Sequence, residues 1–97
     1  MKAIFITYSQ AYNEEITGIL EKNGLRGFTR WTDVHGRGSV NGEPRLNTHA
    51  WPRMNSAVIS MVDDDKVEAI LADIKSRDEE SPELGLRAFV WNIENCY

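Results

Sequence analysis

The sequence predicts an α+β fold in the order βαββαβ, a four-stranded antiparallel sheet with two helices on one face. Three observations carry this. Four short runs rich in β-branched and aromatic residues read as strands, two stretches with helical apolar spacing alternate with them, and turn residues punctuate the joins. At 97 residues, with 41% hydrophobic content, the chain is expected to form one domain spanning residues 1–97, with room for a single core.

Lys2 to Ser9 is apolar on both parities, with Ile4, Ile6 and Tyr8 on one face and Ala3, Phe5 and Thr7 on the other, so it reads as a buried strand. From Ala11 to Asn23 the apolar positions Tyr12, Ile16, Ile19 and Leu20 fall at helical spacing. Glu14 and Glu15 complement the start of the helix dipole, and Gly24 is the stop. Phe28 to His35 is the second strand and carries Trp31. Gly36 and Gly38 follow it, and they permit positive φ or a close backbone approach where a phosphate or another anion can sit.

Asn55 to Val62 is the third strand, which leaves Gly36 to Arg53 as an extended loop between two sheet strands. Asp63, Asp64 and Asp65 supply an N-cap and favourable dipole charge to a second helix, with Val67, Ile70, Leu71 and Ile74 along one side. That helix is expected to fray from Ser76 to Ser81, before Pro82. Gly85 releases the chain into Leu86 to Ile93, the fourth strand. The order is that of the ferredoxin-like sandwich.

Two helices cover only one face of such a sheet, yet Phe5, Trp31, Phe89, Trp91 and Ile93 fall on the other. An apolar patch of this kind calls for a partner, and a closed homo-oligomer packed sheet to sheet supplies one. The alternative is that the long loop of the same chain folds over Trp31 and Trp91.

Charge and cysteine usage narrow the function. A net charge of -4 argues against nucleic-acid binding, which requires clustered Lys and Arg. One cysteine, Cys96, excludes an intrachain disulfide framework and fits a reducing cytoplasm. The N-terminal stretch is too short for a signal h-region, and no apolar run reaches membrane-spanning length, so neither export nor membrane insertion is expected.

The loop gathers the most unusual side chains. Thr48 to Asn55 groups His49, Trp51, Arg53 and Met54, either as a recognition tip or as a return that packs on the sheet. Glu43 and Arg45 belong to the same candidate partner-binding loop. His35 and His49, with Met54 or Cys96, suit a soft metal ion, although their spacing fits no zinc template. The three aspartates at 63–65 read more simply as a cap with two solvated charges than as a cation site. No nucleophile elbow or carboxylate pair stands out, so an enzyme is not expected. A Cys-x-x-Cys metal-chaperone loop and the arginine-bearing anion loop of acylphosphatases are both absent after the first strand, where the chain reads Ser9-Gln10-Ala11-Tyr12. RNA-recognition modules are disfavoured by the acidic balance.

Several motifs in order carry a resemblance: Met1-Lys2-x-Ile4, Leu20-x-x-x-Gly24-Leu25-x-Gly27-Phe28-Thr29, Val34-x-Gly36-x-Gly38, Val62-Asp63-Asp64-Asp65-x-Val67 and Phe89-Val90. Together the chain resembles the nitrogen-regulatory PII signalling proteins, over most of its length. The resemblance implies a cytoplasmic homotrimer that binds an adenine nucleotide or another small effector in clefts between subunits. It also implies a T-loop, here 36–53, that touches a regulated protein partner, a membrane transporter among the candidates. The implied effector contacts are Gly36, Arg37 and Gly38 at the loop base and Arg87 before the last strand, where the family has lysine. The implied partner contacts are Glu43, Arg45, His49, Trp51 and Arg53.

The chain also departs from the pattern. The family's glycine-rich phosphate loop is here Glu80-Ser81-Pro82-Glu83-Leu84-Gly85-Leu86, with one glycine and two glutamates, and Val40 stands in the region of an expected glutamine. Basic residues beyond the last strand are not expected, since the sequence ends at Tyr97. Like charge beside a polyphosphate weakens binding, so a small anion or a different nucleotide enters as ligand. The trimeric metal-tolerance proteins of the CutA type share the same build and supply a second reading, through His35 or His49.

Overall fold

A computed structural model describes residues 1–37, 54–82 and 85–97. Strands β1 (Lys2–Ser9), β2 (Thr29–Val34), β3 (Asn55–Val62) and β4 (Arg87–Asn92) alternate with helices α1 (Asn13–Lys22) and α2 (Val67–Glu80) in the predicted order. The sheet runs β2-β3-β1-β4, and every neighbouring pair is antiparallel. This is the ferredoxin-like arrangement.

The core lies between the sheet and the helices. Ile4, Ile6 and Tyr8 of β1 meet Val58 of β3, Ile16 and Leu20 of α1 and Ile70 of α2, all buried. β1 carries apolar residues on both parities because Ile4, Ile6 and Tyr8 face the helices while Ala3 and Phe5 belong to the apolar uncovered face, opposite Trp91 and Phe89. The first helix begins later than its periodicity predicts, at Asn13, because Gln10–Tyr12 forms a tighter 3-10 turn. It ends as expected at Gly24, whose φ of 78° lies in the left-handed region. The Gly24 amide donates to the Glu21 carbonyl at 2.9 Å, and the Leu25 amide donates to that of Leu20 at 2.9 Å. That pair of bonds is a Schellman cap, and a side chain at 24 would collide with the Lys66 amine that caps Asn23.

Three local expectations are corrected. The second helix does not fray at Ser76 but continues to Glu80, where Arg77 pairs with the Glu80 carboxylate at 3.3 Å and compensates its last turn. Asp63 occupies the cap position of a short turn, Asp64–Lys66, yet makes no side-chain cap bond. Its neighbour Asp64 instead binds the N-terminal ammonium at 2.9 Å, and that bond holds its carboxyl below the usual range. The second strand is shorter than Phe28 to His35, and its register shifts between Trp31 and Val34. Asp33 adopts a φ of 58° there, a conformation that Asp tolerates better than most residues.

Behind β2 a polar network joins strand to helix. Arg30 Nε donates to the Tyr8 hydroxyl at 2.9 Å, while its Nη2 donates to the Asn13 carbonyl at 3.1 Å and to Thr17 Oγ1 at 2.6 Å. The Tyr8 hydroxyl donates to Asn13 Oδ1 at 2.7 Å, and Arg30 lies 5.1 Å from the Phe28 ring centre. The two helices are tied by Asp73, which accepts from the Asn23 amide at 3.0 Å and from Lys22 at 3.2 Å. Those donors, Asn23 foremost, pull its carboxyl below the ordinary 3.8.

The other face of the sheet carries the predicted apolar residues. Pairing sets Phe5 opposite Phe89 and Ala3 opposite Trp91. Trp31, Met61, Phe89 and Trp91 are each between 46% and 55% exposed, a large apolar area for one surface. Ile93 lies beyond β4, half-buried, with its amide on the Met1 carbonyl. Whether residues 38–53 fold over Trp31 and Trp91 lies outside the described residues. No helix among the described residues is long and apolar enough to cross a membrane.

Candidate functional site

On the uncovered face, strand register builds a trough. Trp31 pairs with Ala57, Ala57 with Thr7, and Thr7 with Arg87, so one row of side chains crosses all four strands. Successive strands lie about 4.8 Å apart, which sets the indole and the guanidinium on backbones about 14 Å apart with two small residues between them. Phe5 of the adjacent row adds to the floor. The result is a cleft of about 520 Å³ with an aromatic wall, a short floor and a cationic wall.

The β2 bulge supplies the rim. Because an extra residue intervenes, Val34 faces Asn55 and the next residues, His35, Gly36 and Arg37, turn along the cleft. Gln10 fixes this turn: its amide nitrogen donates to Asp33 Oδ1 at 2.9 Å and its oxygen accepts the Asp33 backbone N–H at 2.5 Å. The Gln10 backbone N–H reaches the Met54 carbonyl at 3.1 Å. Gly36 does not adopt a positive φ, and a Cβ there would lie 2.5 Å from Asn55 Nδ2, so a side chain at 36 would displace that amide. The left-handed residue of this turn is Asp33 instead.

The opposite rim is Gly85, with a φ of 63°, and Arg87. Arg87 Nη1 donates to the Leu86 carbonyl at 2.6 Å and lies 3.6 Å from Asp78 Oδ1 of α2. Glu80, one of the acidic departures, is occupied by Arg77 and faces a different groove.

Of the residues singled out from sequence, Gly36, Arg37, Arg87 and His35 line this one cleft. Gly38, Glu43, Arg45, His49, Trp51 and Arg53 lie outside the described residues, as do Glu83 and Leu84. Among the described residues no three His, Cys, Asp or Glu side chains gather as metal ligands would. Sequence reasoning missed Thr7, Ala57, Asn55 and Asp78. Thr7 could be placed on the open face by parity, but its alignment with Ala57 and Arg87 depends on register, which parity alone leaves unset.

Chemically, an exposed indole offers a stacking surface for a planar ring, and arginines offer charge-assisted donors to phosphate or carboxylate.

Comparison with solved structures shows the same fold. The chain is similar to CPII, a nitrogen regulatory PII-like protein from Thiomonas intermedia K12 bound to ADP, AMP and bicarbonate, with a TM-score of 0.78 and 22% identity over 95% of this chain and 84% of that one. The CPII complex with ADP, AMP and acetate gives a TM-score of 0.77 and 22% identity, with the same coverage. A PII-like signaling protein from Thermus thermophilus gives 0.66 and 18% over 95% of this chain and 85% of that one. No curated protein sequence matches the chain. The sequence itself matches the Nitrogen regulatory protein P-II family across residues 1–97, and the chain belongs to that family.

Proposed function

We propose that this protein is a non-catalytic, cytoplasmic PII-like regulator that binds a small anionic effector, an adenine nucleotide first among them, in the trough between Trp31 and Arg87. The observation that carries this reading is the cross-sheet row, which sets an aromatic surface and a cation at opposite ends of one cleft. In a homotrimer the exposed apolar face is buried against neighbouring subunits, which close the cleft. The CPII complexes with ADP and AMP make adenine nucleotides the first ligands to test.

In this reading Gly36, Arg37, Gly38 and Arg87 contact the effector, and the loop 36–53 reports occupancy to a protein partner through Glu43, Arg45, His49, Trp51 and Arg53. A ligand that binds one loop state more tightly than another shifts the population by its differential affinity. Partner identity, including a transporter at the membrane, follows from capture experiments with and without effector.

The test is calorimetric titration with ADP, AMP, ATP and bicarbonate, alongside thermal melts. ADP is expected to bind, and Arg87→Gln to weaken it about tenfold, the loss of one charge-assisted contact. Indifference to all four ligands at millimolar concentration overturns the effector reading. Stabilisation only by copper, nickel or zinc, lost in His35→Ala or His49→Ala, would move the protein to metal binding.

A further inference from the structure

Arg87 is not presented to the cleft alone. It begins an edge strand on the uncovered face, whereas Asp78 belongs to α2, which packs on the opposite face. The two meet around the edge of the sheet at 3.6 Å, too far for a hydrogen bond. Asp78 Oδ1 is enclosed and has no hydrogen-bond partner among the described residues, while Arg87 Nη1 directs its short bond to the Leu86 carbonyl. An enclosed carboxylate oxygen held near a guanidinium without a bond is poorly compensated. Its charge nevertheless acts on anything that Arg87 binds.

From this arrangement we infer that Asp78 is a built-in competitor for the anion site, setting how much negative charge the cleft accepts. The inference rests on the effector reading above. With Asp78 ionised, the Arg87 end of the trough is close to neutral. A phosphate approaching Arg87 must displace the carboxylate's influence and withstand its repulsion. That penalty grows with ligand charge, so Asp78 disfavours polyphosphates more than monophosphates. It also links the cleft to α2, because occupancy of Arg87 by an effector loosens a contact made by that helix.

The experiment is a double-mutant cycle read by calorimetry on the full chain: wild type, Asp78→Asn, Arg87→Gln and the double variant, each titrated with ADP and with AMP. Asp78→Asn keeps the size of the side chain and one acceptor oxygen and removes the charge. It is expected to bind ADP about five-fold more tightly, the equivalent of about 1 kcal/mol, with a smaller gain for AMP. On the Arg87→Gln background the gain in ADP affinity is expected to fall below about two-fold. ADP bound by Asp78→Asn but not by wild type also supports the inference. Unchanged or weaker ADP binding in Asp78→Asn, with wild type binding normally, overturns the competitor role and leaves the effector reading intact. Absence of binding in all four proteins overturns both. Melting curves of the four proteins without ligand report folding separately from affinity.

Discussion

Replacing Arg30 tests the connection between the buried side of β2 and the cleft on its other side. Arg30 and Trp31 are adjacent, so they point to opposite faces of the sheet. The guanidinium makes three hydrogen bonds, to Tyr8, Asn13 and Thr17. Arg30→Met keeps the apolar stem and removes all three. Bonds of this kind contribute about 1 kcal/mol each after solvation is counted, so the loss is expected to be about 2 to 3 kcal/mol. The Tyr8 hydroxyl retains Asn13 as a partner, which keeps the figure from rising further. The assay is urea unfolding followed by far-ultraviolet circular dichroism, at one fixed protein concentration so that any self-association weighs equally on every variant. The midpoint is expected to fall by roughly 1 to 2 M with the slope unchanged. Arg30→Lys is expected to recover little, since an ammonium cannot span the acceptors that the planar fork reaches. A midpoint within experimental error of wild type for Arg30→Met would refute the assignment of the network as the tie between β2 and α1.

Two further outcomes are expected. Phe89→Asp places a charge within the exposed apolar face, beside Phe5, and is expected to turn the proposed homotrimer into monomers, as read by light scattering; a wild-type protein that is already monomeric at micromolar concentration would sink the sheet-to-sheet association. Asp73 has a lowered carboxyl pKa in the folded state, so its contribution is fully present above the ordinary value of 3.8 and is lost as pH falls through the lowered one. Stability curves of wild type and Asp73→Asn are therefore expected to converge on acidification through that window, and parallel curves would contradict the assignment.

Most of the fold was legible because each element announces itself locally. The apolar, β-rich run of Lys2–Ser9 marks a strand, the apolar spacing of Ile16, Ile19 and Leu20 reflects the buried side of α1, and Gly24 marks a cap that only a left-handed residue completes. What was missed depends on particular side-chain contacts, one local and one between distant residues. The extension of α2 to Glu80 rests partly on a pair with Arg77, and the early end of β2 rests on Gln10 seizing Asp33, twenty-three positions away. Site residues followed the same division. Gly36, Arg37 and Arg87, proposed from the family resemblance, line the candidate cleft, whereas Thr7 and Ala57 join its lining only through register, and Asp78 comes near it through an ion pair around the sheet edge.

Gln10 carries one last consequence. Its side chain holds Asp33 on the outgoing strand while its backbone holds Met54 at the start of the incoming one. A single residue of the first strand's exit thus acts as a common anchorage for both roots of the connection between β2 and β3. The separation of those roots is thereby tied to Gln10 and to the strands on either side of it. If residues 36–53 form the proposed partner-binding loop, substitutions among them would leave this anchorage, and with it the geometry of the sheet, in place.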